Sequence, residues 1–158
     1  MCFVLDANSF HHMFDVNYSG HADFIPLLRW LYDKQGTSLV IGGTRYLEEL
    51  KKLNKYFDKL VELERNRKIS KIKDEIVDDE ENRLKSIVNQ KKFNDPHIVA
   101  LFCVSGCLIF ASHDKKADRF IKRRDLYPCG QRPPSIYRSA KHTKLLCNKN
   151  IVRLRNTK

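Results

Sequence analysis

Four acidic residues hold positions from which they could act together on one ligand. Asp6 and Asp114 each follow a short apolar run, Glu48 lies in the helical stretch after another such run, and Asp95 opens the helix that leads to the last run. Carboxylates gathered in one place repel one another unless a cation neutralises them or their pKa values rise. Such hard oxygen ligands suit Mg²⁺ or Mn²⁺, whereas zinc prefers nitrogen and sulfur ligands, which lack a useful spacing here. A divalent ion held by them could activate a water molecule and stabilise a phosphorane-like transition state.

Each of these residues also has a structural interpretation: Asp6 could simply belong to the turn after its strand, and Glu48 could simply face the solvent. Asp95 and Asp114 stand where helix N-caps stand, and capping alone would account for either side chain. Glu48 directly follows Leu47 and therefore borders the apolar stripe of its helix. Glu49 lies about 100° further round the helix and is expected to be more exposed, which favours Glu48, although the choice between the two glutamates stays open. The combination of four acids is more specific than any one of them.

Short apolar runs and longer apolar stripes alternate along the chain. Runs at residues 2–5, 38–41 and 108–111 show no polar alternation, which is typical of strands buried on both faces. Apolar residues at helical spacing predict a helix over 22–33 and a long helix or helix pair from 47 to about 66. This order predicts a parallel sheet with helices on both faces. In such sheets ligands bind beyond the carboxyl ends of the strands, which is where the four acids stand.

The remaining segments are less regular. Residues 69–72 are interpreted as a connector, and residues 115–124 as a helix capped by Ser112-His113-Asp114. The segment 74–81 holds six carboxylates and no basic residue, which favours a solvated helical turn; the alternative is an internal phosphate mimic that shields a basic groove. The last expected elements are a strand beginning at Ile136-Tyr137, a short helix near 142–146 and a tail strand at Ile151-Val152.

The charge of the chain favours an anionic partner. Its 158 residues fit one domain, 1–158, and thirty Lys and Arg against nineteen Asp and Glu give a net charge of +11. The segment 121–158 carries eleven Lys and Arg and one acid, Asp125, which predicts contacts with RNA phosphates. The alternative is a solvated basic tail without a partner. The predicted RNA-binding residues of this segment are Arg123, Arg124, Tyr137, Arg138 and Lys141, with Tyr127 as a further stacking residue.

Two of these residues have a second interpretation. Arg138 could hold a phosphate in a bidentate grip, or it could face water. Tyr137 could stack on a base beside it, or it could pack in the core.

Cysteine usage and hydropathy bear on the compartment. The five cysteines are odd in number and form no Cys-x-x-Cys pair, which predicts free thiols in a reducing compartment, the cytoplasm. No apolar run approaches the roughly 20 residues that a membrane span needs, and no signal peptide is recognisable, so no membrane partner is expected.

Four motifs in order resemble those of the PIN-domain ribonucleases. They are Val4-Leu5-Asp6-Ala7-Asn8, the stretch from Ile41-Gly42-Gly43-Thr44 to Glu48-Glu49-Leu50, Asn94-Asp95-Pro96-His97-Ile98-Val99-Ala100-Leu101, and Leu108-Ile109-Phe110-Ala111-Ser112-His113-Asp114 with Phe120. The match covers residues 2–124, and the order and spacing of the motifs make it specific. The family differs at Gly42 and Gly43, where many members have Ser or Thr.

The resemblance implies a three-layer α/β/α sandwich with a central, mainly parallel sheet. It also implies endonucleolytic cleavage of RNA at an Mg²⁺ or Mn²⁺ site. The acidic ligands would be Asp6, Glu48, Asp95 and Asp114, with Asn8 as the polar residue beside the first.

The expected function is therefore that of a metal-dependent endoribonuclease acting on single-stranded or structured RNA. It could be the toxin half of a toxin–antitoxin pair, a defence-type nuclease or another RNA-processing factor, with a protein inhibitor or antitoxin and a homodimer among the expected partners. The alternative is a non-catalytic RNA-binding PIN-like domain. A phosphatase of the haloacid-dehalogenase type is disfavoured because position 8 is Asn where a second carboxylate is needed.

Overall fold

The computed structural model describes residues 2–88 and 93–157 and places a five-stranded sheet at the centre of the chain. The order of the strands is β3-β2-β1-β4-β5, and every neighbouring pair is parallel. The strands are β1 (Cys2–Leu5), β2 (Ser38–Ile41), β3 (Ile69–Lys71), β4 (Ile109–Ala111) and β5 (Ser135–Tyr137). The predicted α/β class with a mainly parallel sheet is confirmed.

The central strands are buried on both faces, as their apolar runs predict. All residues of β1, β2 and β4 are buried. Val4 and Leu5 of β1 lie opposite Phe110 and Ala111 of β4. Because β1 is the middle strand, the residues that follow it lie at the centre of the carboxyl edge.

Seven α-helices connect the strands of the described chain. They are α1 (Phe10–Phe14), α2 (His21–Asp33), α3 (Thr44–Lys51), α4 (Phe57–Arg65), α5 (Asp74–Ile87), α6 (Pro96–Ser105) and α7 (Asp118–Ile121). The prediction of a helix over 22–33 is confirmed by α2, and the stretch after residue 44 is the helix pair α3 and α4. Within the described residues, 2–88 and 93–157, no helix is long and apolar enough to cross a membrane.

Three local predictions are wrong. Residues 69–71 are not a connector but the edge strand β3, which the pattern conceals because its residues are only partly buried. The helix predicted over 115–124 is the single turn α7, followed by a 3₁₀ turn at Arg124–Leu126. The tail strand is absent at residues 151 and 152, and the tail instead forms one antiparallel bridge, between Ile72 and Thr157.

The acidic segment 74–81 forms the first half of α5 and is more than a solvated turn. Asp74 accepts a hydrogen bond from the Gly43 N–H at 3.0 Å, and Asp78 accepts from the Thr44 N–H at 2.8 Å. These carboxylates therefore satisfy the free N–H groups at the beginning of α3. The close approach requires glycine, since a Cβ on Gly43 would lie 2.6 Å from Val77 Cγ1 and its φ is +84°.

Candidate active site

A cleft of about 360 Å³ opens at the carboxyl edge of the sheet. It brings together three of the four predicted acids, Asp6, Asp95 and Asp114, and also Asn8. The fourth acid in the cleft is Glu49. The remaining lining residues are Ala7, Lys52, Leu53, Asn94, Ile98, Phe110, Lys116 and Ala117. The convergence expected from the strand ends is therefore present in the structure.

Asp6 is held at the exit of the central strand by neighbours on two sides. One carboxylate oxygen accepts from the Asn8 N–H at 3.0 Å, and the other accepts from the Ser112 hydroxyl at 2.7 Å. The Asp6 N–H continues the sheet by donating to the Ala111 carbonyl at 2.9 Å. Both the backbone and the side chain of Asp6 are thus fixed to the segment that follows β4.

Asp114 lies in a tight turn organised by Ser112. The Asp114 N–H donates to Ser112 Oγ at 3.1 Å, and Asp114 Oδ1 accepts from the Lys116 N–H at 2.8 Å. Asp114 therefore caps a turn and not the helix α7, whose N-cap is Ala117, so the helix-cap interpretation is wrong; its side chain also lines the cleft. Capping and site function are compatible here.

Asp95 occupies the N-cap position of α6, yet its side chain makes no capping hydrogen bond. The Asp95 carbonyl instead accepts from the Ile98 N–H at 3.2 Å. The carboxylate is left to line the cleft, so capping does not account for this residue.

The structure places Glu49 in the cleft, whereas the predicted Glu48 is exposed and does not line it. The buried side of α3 is formed by Tyr46 and Leu50. At about 100° per residue, Glu49 is adjacent to this side and Glu48 lies on the opposite side. The choice of Glu48 relied on Leu47, which is only partly buried and does not mark the centre of the buried side.

His97 holds Glu49 from the neighbouring helix α6. Its Nε2 lies 3.2 Å from a Glu49 carboxylate oxygen, and its ring is 1% exposed. The buried Nδ1 of His97 has no hydrogen-bond partner. Arg45, one turn before Glu49 on α3, approaches the other carboxylate oxygen at 3.8 Å.

The carboxylates influence one another. Burial raises the pKa of Asp6 against the opposing hydrogen bonds from Ser112 and Asn8, and the negative charges of Asp114 and Glu49 raise it further. Burial also raises the pKa of Asp95, with contributions from Asp6 and Glu49. Repulsion between the acids is therefore part of the cleft's electrostatics.

Glu49 differs from these two aspartates. Burial alone would raise its pKa, but the hydrogen bond with His97 and the nearby positive groups lower it. The surroundings of Glu49 thus favour its ionised form, whereas those of Asp6 and Asp95 oppose it.

The donor chemistry of the cleft fits a hard divalent cation, because all four acids offer carboxylate oxygens. Across residues 2–88 and 93–157, however, no three His, Cys, Asp or Glu side chains are already arranged to hold a metal ion. The residues thus suit Mg²⁺ or Mn²⁺ by type, without forming a finished coordination shell.

Two lysines flank the carboxylates. Lys52 follows the last turn of α3, and Lys116 follows the Asp114 turn, and both line the cleft with exposed side chains. Neither lysine is predicted from the sequence, because the surplus of basic residues lies in the C-terminal segment 121–158. Ser112 is not predicted as a site residue either, although it stands directly after a buried strand and two residues before Asp114.

The predicted RNA-binding residues of the C-terminal segment are mostly engaged within the protein. Arg123 pairs with Asp125 at 2.5 Å. Tyr137 is fully buried and its hydroxyl donates to the Asp23 carbonyl at 2.9 Å. Of its two interpretations, core packing is therefore confirmed and base stacking is wrong. Tyr127 is also buried, with its hydroxyl on the Ile121 carbonyl at 2.8 Å.

Arg138 is neither a phosphate clamp nor a solvated side chain. It forms an ion pair with Asp118 at 2.6 Å and donates to the carbonyls of Ser112 and Asp114, each at 3.3 Å. Arg124 and Lys141 are exposed but lie outside the residues that line the cleft.

No protein family, no curated protein and no solved structure matches this chain. The resemblance to PIN-domain ribonucleases therefore rests on the four motifs.

Proposed function

We propose that this chain is a metal-dependent endoribonuclease that cuts RNA at the acidic cleft. The observation that carries the proposal is that four carboxylates, from Asp6, Glu49, Asp95 and Asp114, line one cleft at the carboxyl edge of a parallel sheet. Burial and mutual repulsion raise the pKa values of Asp6 and Asp95. A bound divalent cation would relieve that repulsion, and RNA is the partner that the net charge of +11 favours.

Each side chain of the cleft has a role in this proposal. The four carboxylates would hold Mg²⁺ or Mn²⁺, which when bound supplies Lewis-acid and water-activating chemistry at the phosphodiester. His97 orients Glu49, and the Ser112 hydroxyl orients Asp6. Lys52 and Lys116 attract the phosphates on either side of the cut, and Asn8 offers an amide beside Asp6.

The neighbouring glutamates of α3 provide a matched test. The purified chain is incubated with a mixture of RNA oligonucleotides in Mn²⁺, in Mg²⁺ or in EDTA, and discrete fragments are sought. We expect cleavage that requires the metal, a loss of at least about a hundredfold in Glu49→Gln, and no change in Glu48→Gln. Cleavage that persists in EDTA, or a Glu49→Gln variant with full activity, would contradict the proposal.

The second candidate is a non-catalytic RNA-binding domain. It is favoured by one observation: within the described part of the chain, no three acidic or histidine side chains are already arranged around a metal position. The same experiment separates the two candidates. RNA that binds but stays intact in Mn²⁺ and Mg²⁺ would support the binding domain.

We place the activity in the cytoplasm, since free thiols suit a reducing compartment. Cys2 and Cys107 are buried thiols that contact each other, and Cys129 is an exposed one. A protein inhibitor or antitoxin and a homodimer stay predictions. Size-exclusion chromatography coupled to light scattering would measure the oligomeric state.

A further inference from the structure

Four aromatic rings cluster beside the acidic cleft, and we call them the histidine platform: His11, His12, Tyr18 and His113. The His12 ring lies at the centre, with its centroid 4.3 Å from that of His11 and 4.4 Å from that of His113. Tyr18 meets His11 and His12 edge-on, at 4.2 and 4.7 Å. Neither the proposed chemistry nor the basic segment uses these rings.

The platform is buried at its centre and open at its surface. His12 is only 4% exposed and rests against Phe24, with 5.3 Å between the ring centroids. His113 is exposed and stacks on His12 at an interplanar angle of 25°, so one of its faces is covered by protein and the other remains for a ligand. Tyr18 is 41% exposed at the side of the cluster.

The inner ring suits stacking because it is uncharged. Burial lowers the pKa of His12 to about 4, and the neighbouring His11 and His113 contribute to the decrease. A neutral imidazole gives His113 an uncharged aromatic ring to stack on. It also avoids repulsion that a charged inner ring would exert on the outer rings.

The same short segment fixes His113 and two of the carboxylates. The His113 N–H donates to Ser9 Oγ at 3.0 Å, which ties it to the turn after Asp6. On one side of His113, the Ser112 hydroxyl donates to Asp6, and on the other side stands Asp114 itself. A group stacked on His113 would therefore lie next to the acidic cleft.

We propose that the exposed face of His113 is a nucleobase subsite, on which an unpaired base of the RNA stacks beside the cleft. The inference rests on the proposed function for its choice of ligand. Stacking needs a free base face, which a single strand offers and the interior of a duplex does not. The subsite therefore selects single-stranded RNA and is tolerant of base identity, since every base has such a face.

The test measures binding without cleavage. A short single-stranded RNA carrying 2-aminopurine is titrated with the protein in EDTA, and both fluorescence quenching and anisotropy are recorded. We expect His113→Ala to lose the quenching and to bind about tenfold more weakly. His113→Phe should restore both, because a benzene ring stacks without an imidazole.

Phe57→Ala is the matched control, because Phe57 is a 63% exposed aromatic residue on α4 that does not line the acidic cleft. Its binding and quenching should equal those of the unmodified chain. When the RNA is annealed to its complement, addition of the protein should cause no further quenching. Unchanged quenching and affinity in His113→Ala, or no binding of single-stranded RNA at all, would overturn the subsite.

The two proposals fail separately. Quenching in EDTA without any cleavage in Mn²⁺ would contradict the nuclease and leave the subsite standing. Metal-dependent cleavage together with normal RNA binding by His113→Ala would support the nuclease and contradict the subsite.

Discussion

Arg138 is expected to stabilise the fold through Asp118, and its removal should lower the free energy of unfolding by about 2–3 kcal/mol. The guanidinium makes two contacts with the Asp118 carboxylate, at 2.6 and 3.3 Å, and two with backbone carbonyls at 3.3 Å. It thereby joins the residue after β5 to α7 and to the segment after β4. Arg138→Ala breaks all of these contacts at once.

The size of the effect follows from burial and from the groups left behind. Hydrogen bonds to charged groups contribute about 1.5–3 kcal/mol each, and breaking a buried ion pair costs about 3–5 kcal/mol. Here the two side chains are still 19% and 20% exposed, and three of the four contacts are long. Lys122 also lies 3.4 Å from Asp118 and remains as a partner for it. The expected loss of unfolding free energy in Arg138→Ala is therefore about 2–3 kcal/mol, at or below the lower end of the range for breaking a buried ion pair.

Urea denaturation followed by the fluorescence of Trp30, the one tryptophan of the chain, measures this difference. A double-mutant cycle of Arg138→Ala and Asp118→Ala should give a coupling of about 1–2 kcal/mol. Arg138→Lys should recover little, because an ammonium group cannot reproduce the planar fork.

The ion pair between Arg123 and Asp125 is the control for this cycle. It is also bidentate but more exposed, with Asp125 at 61%, and its coupling should be much smaller. A coupling for Arg138 and Asp118 no larger than that of the control would refute the reasoning.

Three further predictions concern the cleft and its support. Asp6→Asn should raise the stability of the metal-free protein at neutral pH, because burial and the neighbouring acids raise the folded-state pKa of Asp6. The gain should be absent below the unfolded-state pKa, grow as pH rises from that value to the folded-state pKa and stay constant above it; thermal melts that show no such gain would contradict it. Gly43→Ala should cost about 3 kcal/mol from its positive φ and the contact with α5, whereas Gly36→Ala, with a positive φ but open space, should cost about 1 kcal/mol in the same denaturation experiment. Replacing Lys52 and Lys116 by Ala should lower the slope of log Kd against log salt for single-stranded RNA by about 1.4, and an unchanged slope would remove them from the phosphate path.

The central strands could be predicted because burial on both faces leaves a continuous apolar run. Edge strand β3 has no such run: Ile69 and Ser70 are partly buried and Lys71 is exposed, so its pattern resembles a connector. The strand forms because it pairs with the backbone of β2, and a contact between residues so far apart in sequence leaves no local pattern.

The acids that line the cleft could be predicted from the sequence except for the one on α3, where the sequence predicts Glu48 and Glu49 lines the cleft. Topology alone brings Asp6, Asp95 and Asp114 together, but the orientation of α3 depends on Tyr46, whose hydroxyl donates to the Leu5 carbonyl. A tyrosine can lie on either side of an amphipathic helix, so sequence could not choose Glu49 over Glu48. Arg138 shows the same limit, because counting charges does not reveal that an acid twenty positions away is its partner.

The central position of β1 has a consequence for biosynthesis. β1 comes before the other four strands of the sheet in the chain and pairs with β2 and with β4, and Asp6 accepts a hydrogen bond from the hydroxyl of Ser112, 106 positions later. Synthesis proceeds from the N-terminus, so an incomplete chain has the first carboxylate without the segment that orients it. The cleft can form only after Asp114, the last of its four acids in the chain, has been synthesised.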